Sequence, residues 1–298
     1  MDNDALTRFP PKSILAPIDF SEPSAAGLSA ARRLSERFGA RLELLHVDEE
    51  HALMHEGAMS EKQRAAAAER AADGEARLRE LAGLPEPAVR VVRGDAKGVL
   101  VELARGERHD MIVMGSHGRS GMERALLGSV AETLVMRSSI PVLTVHEKPR
   151  PLWPVHVLVP MKFAPYADAA LLYALRLASA AGARVTLMHS IEEGPLGGEA
   201  HEALEAHLER LLGNDAWTKA GRLLDAGPAA DKILKAVDTG TFDLVVLAAH
   251  RKLYWKDFVL GTTSERVLRR SRVPVLSIPS SSALTALGEP AAHAAARG

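Results

Sequence analysis

The stretch Asp110-Met111-Ile112-Val113-Met114-Gly115-Ser116-His117-Gly118-Arg119-Ser120-Gly121, running on through Met122 to Leu127 into Gly128-Ser129, decides the fold. A short run that is apolar on both faces, then glycines, then a helical pattern from Val130 to Arg137, reads as a buried parallel strand feeding a loop and a helix. In an open parallel sheet, ligands bind beyond the C-terminal strand ends, where strand order reverses. Glycines at that place let backbone N–H groups come close to a ligand and take positive φ. Successive exposed amides make an anion nest, and a helix N-terminus adds further free amides and positive dipole charge. Two amide clusters of this kind suit a polyphosphate. Ser129-Val130-Ala131-Glu132 also reads as a capping box, as does Thr262-Thr263-Ser264-Glu265, so capping alone accounts for Ser129 equally well. Gly115 and Gly118 have no such explanation in the sequence.

Working outward, the chain is written twice. Ser13-Ile14-Leu15-Ala16-Pro17-Ile18-Asp19-Phe20 returns as His156-Val157-Leu158-Val159-Pro160-Met161-Lys162-Phe163. An amphipathic helix follows each, Ser24 to Gly39 and Tyr166 to Gly182, and then the matched strands Arg41 to Val47 and Arg184 to Ser190. Asp110 to Met114 matches Asp243 to Leu247, and both copies close on a helix and an apolar strand, Ser139 to Val145 and Arg272 to Ile278. Chance does not place this many matches in one order. Each copy alternates five short apolar runs with helical patterns, which predicts an α/β fold of two tandem, doubly wound, five-stranded parallel-sheet domains of Rossmann-like type. The first unit spans 1–148 and the second 155–280. Between them 149–154 carries Pro149, Pro151 and Pro154 and reads as a short, stiff linker. The tail, 281–298, is small, polar and Ala-rich and reads as flexible.

With 298 residues the chain has room for two domains of this size. Hydrophobic residues at 47% and charged residues at 25% exclude a wholly disordered chain. A net charge of −1, with aromatics at 4%, offers no basic, aromatic-laced stripe for nucleic acid. The absence of cysteine removes disulfides, thiolate metal sites and Cys nucleophiles, and fits a reducing compartment. No run is long enough to span a bilayer and Met1 to Pro11 has no signal-peptide core, so the expectation is a cytoplasmic protein without membrane contact.

On these residues the chain resembles the universal stress protein family, nearly from end to end, as two tandem domains. The family's nucleotide-binding signature is Gly, two residues, Gly, nine residues, Gly, then Ser or Thr, and Gly115, Gly118, Gly128 and Ser129 meet it without a gap. The resemblance implies an adenine-nucleotide alpha hydrolase-like fold and ATP in copy one, with or without Mg2+. It implies that Asp19 contacts the nucleoside end, that the backbone at Val47 meets adenine, and that Met114 walls the same pocket. Pro17 and Val130 flank these positions and join the expected site. His117 could donate a hydrogen bond to a phosphate, or be an exposed loop histidine, and its recurrence as His250 without the glycines favours a shared loop role. Arg119 could add positive charge.

Copy two departs from the pattern. Lys162 stands where Asp19 does, Ala248 for Gly115, Arg251 for Gly118 and Tyr254 for Gly121, and only Gly261-Thr262 survives. Leu253, Tyr254 and Trp255 put bulk where copy one has Ser120, Gly121 and Met122. Copy two is therefore expected to be a degenerate half: an empty one, a pocket for another ligand or, the favoured reading, an internal dimerisation partner. Family domains commonly pair through their last strands. Such edges need covering, and fusion makes the pairing intramolecular. A further homodimer stays open.

Other chemistries find less support. No P-loop, dinucleotide fingerprint or nucleophile elbow occurs. Asp110 and Ser116 lie at opposite ends of one strand, roughly 15–20 Å apart by strand rise, which argues against a triad with His117. His51 and His55 have the spacing of a helical ligand pair but no third ligand, and His201-Glu202 with His207 does not match the zinc motif. The alternating charges from Glu61 to Glu80 read as a solvated helix face with at most interface contacts. No base is placed for efficient ATP hydrolysis, so the alternatives to a regulatory ATP-binding protein are a slow ATPase or a sensor of another adenine nucleotide such as cyclic AMP.

Overall fold

The computed structural model describes residues 9–50, 59–82, 88–106, 108–117, 127–146, 154–162, 165–191, 198–212, 220–249, 251–254, 257–260 and 262–279. The first half runs β1 (Ser13–Pro17), α1 (Glu22–Phe38), β2 (Arg41–Asp48), α2 (Glu61–Ala82), β3 (Ala88–Arg93), α3 (Ala96–Arg105), β4 (Met111–Gly115), α4 (Ser129–Arg137) and β5 (Val142–Val145). The second repeats it as β6 (His156–Met161), α5 (Pro165–Ala181), β7 (Arg184–Ile191), α6 (Gly198–Leu212), β8 (Gly221–Ala226), α7 (Ala229–Asp238), β9 (Leu244–Ala249), a hairpin of β10 (Arg251–Tyr254) and β11 (Asp257–Leu260), α8 (Thr262–Arg270) and β12 (Val275–Pro279). The linker, the tail, His51 and His55 lie outside the described residues, apart from Pro154 of the linker.

The ten main strands form one sheet in the order β3-β2-β1-β4-β5-β12-β9-β6-β7-β8. Each half is a parallel five-stranded sheet, and in each the strand order reverses between the first and fourth strands, β1/β4 and β6/β9. The expected five strands per copy hold, and the described residues of the second half also include the antiparallel β10–β11 hairpin. The bulky stretch of copy two is thus partly strand, and β11 lies against α4 of the first half.

The halves meet through their last strands. β5 and β12 pair antiparallel, with Leu143 opposite Leu276, Thr144 opposite Val275, and Val142 opposite Ser277. Val142 and Val275 are equivalent in the repeat, as are Thr144 and Ser277. A pseudo-two-fold axis therefore passes through the Leu143–Leu276 pair, the mark of an isologous interface. Thr144 Oγ1 donates to the Val275 carbonyl at 3.2 Å in the buried seam. Helices on either side reinforce it: Arg37 of α1 donates to the Ala180 carbonyl of α5 at 3.1 Å, and Arg269 of α8 reaches Glu132 of α4 at 3.5 Å. Phe9 packs edge-on against both Phe38 and the fully buried Tyr173, at 5.1 and 5.3 Å, and so bridges the halves.

Two apolar cores sandwich the sheet, and each draws residues from both halves. Ile14 with Leu143, Leu171 and Leu276 belongs to one, and Leu15 with Ile112, Leu158 and Val267 to the other. Alternate side chains of β1 point to opposite cores, as the pleat dictates. α1 starts two residues earlier than its apolar pattern because Ser21 caps it, its hydroxyl accepting from the Ser24 N–H at 3.3 Å, with Pro23 in the first turn. It ends on Gly39 at φ 63°, a left-handed turn that favours glycine.

Asp110 caps the start of β1, accepting from the N–H groups of Lys12 and Ser13 at 2.8 and 3.0 Å. Asp243 does the same for Val155 and His156, so this aspartate holds the sheet together in both halves. Beside it, His109 is 3% exposed, with Nδ1 3.2 Å from Ser13 Oγ and Nε2 3.5 Å from Glu43. Burial, with help from Arg90, outweighs Glu43 and holds its pKa below the ordinary 6.5. A histidine depressed in the folded state takes up its proton more readily when unfolded. Its share of stability is present above pH 6.5 and is lost as pH falls through the lower folded value. The equivalent position in the second half is Phe242, its ring tilted against His156 with centroids 4.5 Å apart. His109→Phe is therefore expected to give a thermal midpoint that declines less steeply than the wild type's below pH 6.5. Parallel pH profiles from calorimetry would show that His109 carries none of the acid sensitivity.

Candidate functional site

A cavity of about 590 Å3 opens at the C-terminal ends of β1, β2 and β4, at the β1/β4 switch point, with α4 starting on its floor. Its size falls in the range of small-molecule sites. Of the sequence-predicted residues, Pro17, Asp19, Val47, Met114, Gly115, His117, Gly128, Ser129 and Val130 all line it. Gly118 and Arg119 lie outside the described residues, as do His250 and Gly261 in the second half.

The two ends of the signature loop are held together. Ser116 N–H donates to the Val145 carbonyl at 2.9 Å, and Gly128 N–H donates to the Ser116 carbonyl at 2.7 Å. Gly128, at φ −62° and ψ 144°, is the N-cap of α4 and supplies no side-chain cap. The expected capping box is therefore corrected: Ser129 is the first helical residue, so its hydroxyl is one position too late to bond the amides of the first turn. Thr262 likewise stands inside α8, and Ser264 Oγ bonds back to the Ala248 carbonyl at 3.2 Å. The first turn of α4 thus turns its amides, without a side-chain cap, toward the cavity.

Gly115 has a structural reason that the sequence did not disclose. A Cβ there would lie 2.3 Å from the Pro23 carbonyl oxygen, and one on Gly27 would lie 2.6 Å from Gly115 N. Backbone meets backbone where α1 crosses β4. In the second half the equivalents are Ala170 and Ala248, so that crossing is built with two methyl groups. Gly115 is a packing glycine first, whatever else its amide does.

The opposite wall is acidic and aromatic. Asp19 Oδ1 accepts from Ser21 N–H at 3.0 Å and from the Ser21 hydroxyl, which couples the carboxylate to the α1 cap. Between them Phe20 sits at φ 63°, a left-handed conformation that costs a bulky residue about 1–3 kcal/mol. Its ring lies against His46, centroids 4.6 Å apart, and under the Arg77 guanidinium at 3.8 Å. A cation over an aromatic face contributes about 0.5–2 kcal/mol, enough to offset much of that strain. His46 is fixed by Nδ1–H, which donates to the Ile18 carbonyl at 2.7 Å. Its counterpart His189 faces Met161 O in the same way at 3.1 Å, so this histidine ties the second strand of each half to the end of the first.

Arg77 arrives from α2, read from sequence as a solvated helix. That reading is corrected. Arg70, Asp73, Gly74 and Arg77 share one face at helical spacing and line the cavity. Arg70 pairs with Asp48 and Glu50, each at 3.1 Å. Gly74 lets the helix lie close, since a Cβ there would stand 3.1 Å from Val91 Cγ2. A glycine in the middle of a long run of good helix formers was the available signal.

His117 begins the loop, its Nδ1 2.8 Å from Ser116 Oγ and its ring edge-on to His146 at 5.8 Å. Burial lowers its pKa from the ordinary value, so the exposed-loop reading does not hold. Ser116 is fully buried and Asp110 is engaged at the far end of the strand, so no triad forms. Among the described residues no cluster of His and carboxylates is suited to a metal, and His207 is instead paired with Asp168 at 2.7 Å.

Comparison with known sequences matches the universal stress protein family over residues 11–146 and again over 155–279. The chain belongs to the universal stress protein family. It is similar to universal stress proteins of Mycobacterium bovis and Mycobacterium tuberculosis, 32% identical over 184 residues, a match covering 56% of this chain and 61% of those relatives. It also resembles one of Methanocaldococcus jannaschii, 43% identical over 60 residues, covering 20% of this chain and 35% of that one. In fold, it superposes on a universal stress protein of Archaeoglobus fulgidus with a TM-score of 0.66 at 22% identity, covering 90% of this chain and 98% of that one. It is a tandem universal stress protein: two family halves packed into one sheet. No described helix is long and apolar enough to cross a membrane.

Proposed function

We propose that the first half of this tandem universal stress protein binds ATP in the β1/β4 cavity and that the second half serves as its degenerate, built-in dimer partner. The observation that carries this reading is the polarity of the cavity. Its α4 end offers uncapped amides and loop ends tied by the Gly128–Ser116 bond, while its β2–α2 end offers carboxylates and the Phe20 ring. Helix amides attract phosphate. At the β2–α2 end Asp19, Asp48, Glu49, Glu50 and Asp73 outnumber Arg70 and Arg77, so that end is net acidic, less favourable to phosphate than the α4 amides and suited to ribose hydroxyls and base amines. A nucleotide is thereby oriented with its phosphates on α4 and its nucleoside against Asp19, Val47 and Met114.

The described residues hold no ready magnesium site, so Mg2+ would enter with the phosphates it bridges. The function is read as cytoplasmic regulation: nucleotide occupancy between Gly115 and Gly128 changes the surface a partner sees, provided two states of that surface differ in ATP affinity. Lys162, Ala248 and Arg251 replace Asp19, Gly115 and Gly118 in the second half, which supports one site per chain.

Native mass spectrometry of protein purified without added nucleotide, with the released molecules identified, tests this. About one ATP or ADP per chain is expected. Two per chain would overturn the asymmetry, and none, with no binding on titration, would remove ATP. Stoichiometric cyclic AMP in its place, or magnesium-dependent multiple-turnover phosphate release, would move the function to the sensor or to the slow ATPase.

A further inference from the structure

The nucleotide reading above leaves one polar group of the cavity without a task. His117 lines the cavity directly beside the start of α4, and its Nε2 is buried with no hydrogen-bond partner among the described residues. A buried polar nitrogen left unbonded is disfavoured unless something supplies a partner. Nδ1 is already engaged with Ser116 Oγ, and the backbone of that serine is bonded on both sides, its N–H to the Val145 carbonyl and its carbonyl to the Gly128 N–H. The ring is thus oriented from one side by Ser116 and from another by the edge contact with His146 just after β5.

We propose that His117 is the phosphate-sensing residue of this site: it takes up a proton as the phosphate chain of the nucleotide arrives, so that nucleotide affinity is tied to pH while nucleoside affinity is not. The inference rests on the proposed nucleotide site and deepens it. In the free protein, burial lowers the imidazole's pKa from its ordinary value and so favours the neutral form. Of the described groups around it, Ser116, Gly128, Ser129 and Val130 carry no charge, and His146, just after β5, is the titratable neighbour. Asp19 is an acid group of the same cavity, already bonded to Ser21. A neutral imidazole carries one proton, whichever tautomer it adopts. The cation carries two, one for the Ser116 oxygen and one for a phosphate oxygen. An anion at the α4 amides stabilises that charge. No covalent step is involved. The proton comes from solvent and returns to it on release.

Calorimetric titration with ATP and with adenosine, in buffers of differing ionisation enthalpy, reads the proton directly in the unmodified full-length chain. Uptake approaching about one proton per ATP near neutral pH, with none for adenosine, is expected. His117→Gln keeps a donor near the Nε2 position without the charge. From about pH 8 to about pH 6, the wild type should tighten on ATP by roughly tenfold more than this variant, because each pH unit below an uncoupled group is worth at most tenfold. ATP's own titration is common to both proteins and cancels in that ratio. Equal pH slopes in the two proteins, or equal proton uptake with adenosine, would overturn the proposal while leaving the nucleotide site standing. Failure of both ligands to bind at any pH would overturn the site and the sensor together.

Discussion

Gly118→Arg is expected to weaken ATP binding at least about 100-fold, roughly 2.7 kcal/mol, while the nucleotide-free protein keeps its thermal midpoint. The substitution installs the residue that the second half carries at this position, Arg251, so the repeat itself shows that a chain of this fold accommodates it. A signature glycine matters because backbone N–H groups reach phosphate only where no Cβ stands in the way. The ends of the loop need not change: Gly128 still donates to Ser116, and α4 still starts at Ser129. Equilibrium dialysis or calorimetry with ATP, beside a melting curve without it, separates binding from folding. Retained micromolar-range affinity with an unchanged midpoint would sink the assignment of the loop to phosphate.

Gly115→Ala is expected to act the other way round, on stability first. The added methyl would stand 2.3 Å from the Pro23 carbonyl oxygen and 2.9 Å from Ser24 N. Both atoms are backbone in the first turn of α1, which cannot swing aside as a flexible side chain would. That turn is also pinned by the Ser21 cap and by Asp19. Overpacking of this kind typically costs about 1–3 kcal/mol, which corresponds to a fall in midpoint of about 2–5 °C for a chain of this length. Gly27→Ala presses the same crossing from the helix side. Once α1 has shifted outward, the second methyl should cost less than the first, so the double variant should be less than additive. The second half, with Ala170 and Ala248, is that relaxed crossing already built. A Gly115→Ala midpoint within measurement error of wild type would mean that α1 yields freely and that the glycine is kept for its amide alone.

These two glycines show how far the sequence could be read. Both fall in one signature, and from the sequence both were assigned to close backbone approach by a ligand. For Gly115 the approaching backbone is the protein's own, at Pro23. The conformational demand was legible, but its cause was not, because the Pro23–Gly115 contact joins residues far apart in the chain. The capping box misread Ser129 for a related reason. The Ser-x-x-Glu spacing suits a cap, but Gly128 takes the N-cap position, where its amide meets the Ser116 carbonyl and closes the loop. The helix from Glu61 to Ala82 was legible as a helix, yet its role as a cavity wall was not. Charges at i, i+3 and i+7 look the same whether they face water or a cleft, and only the seat of Gly74 against Val91 turns Arg70 and Arg77 inward.

The sequence by itself determined the duplication, the α/β class, the parallel strands, the place of the loop and the unequal residues of the two halves at matching positions. Each follows from local patterns: runs apolar on both faces, helical periodicity, and glycines repeated or lost at matching positions. Pairing of the halves through their last strands was expected from the family resemblance; the tertiary structure alone decided its antiparallel register about a Leu143–Leu276 dyad and that α2 walls the cavity. It alone decided that Phe20 holds a left-handed turn between His46 and Arg77, and that Gly115 packs on Pro23. Periodicity reports which face of an element is buried. Which distant backbone or side chain it is buried against depends on how the elements are stacked, and a single chain's pattern carries no record of that.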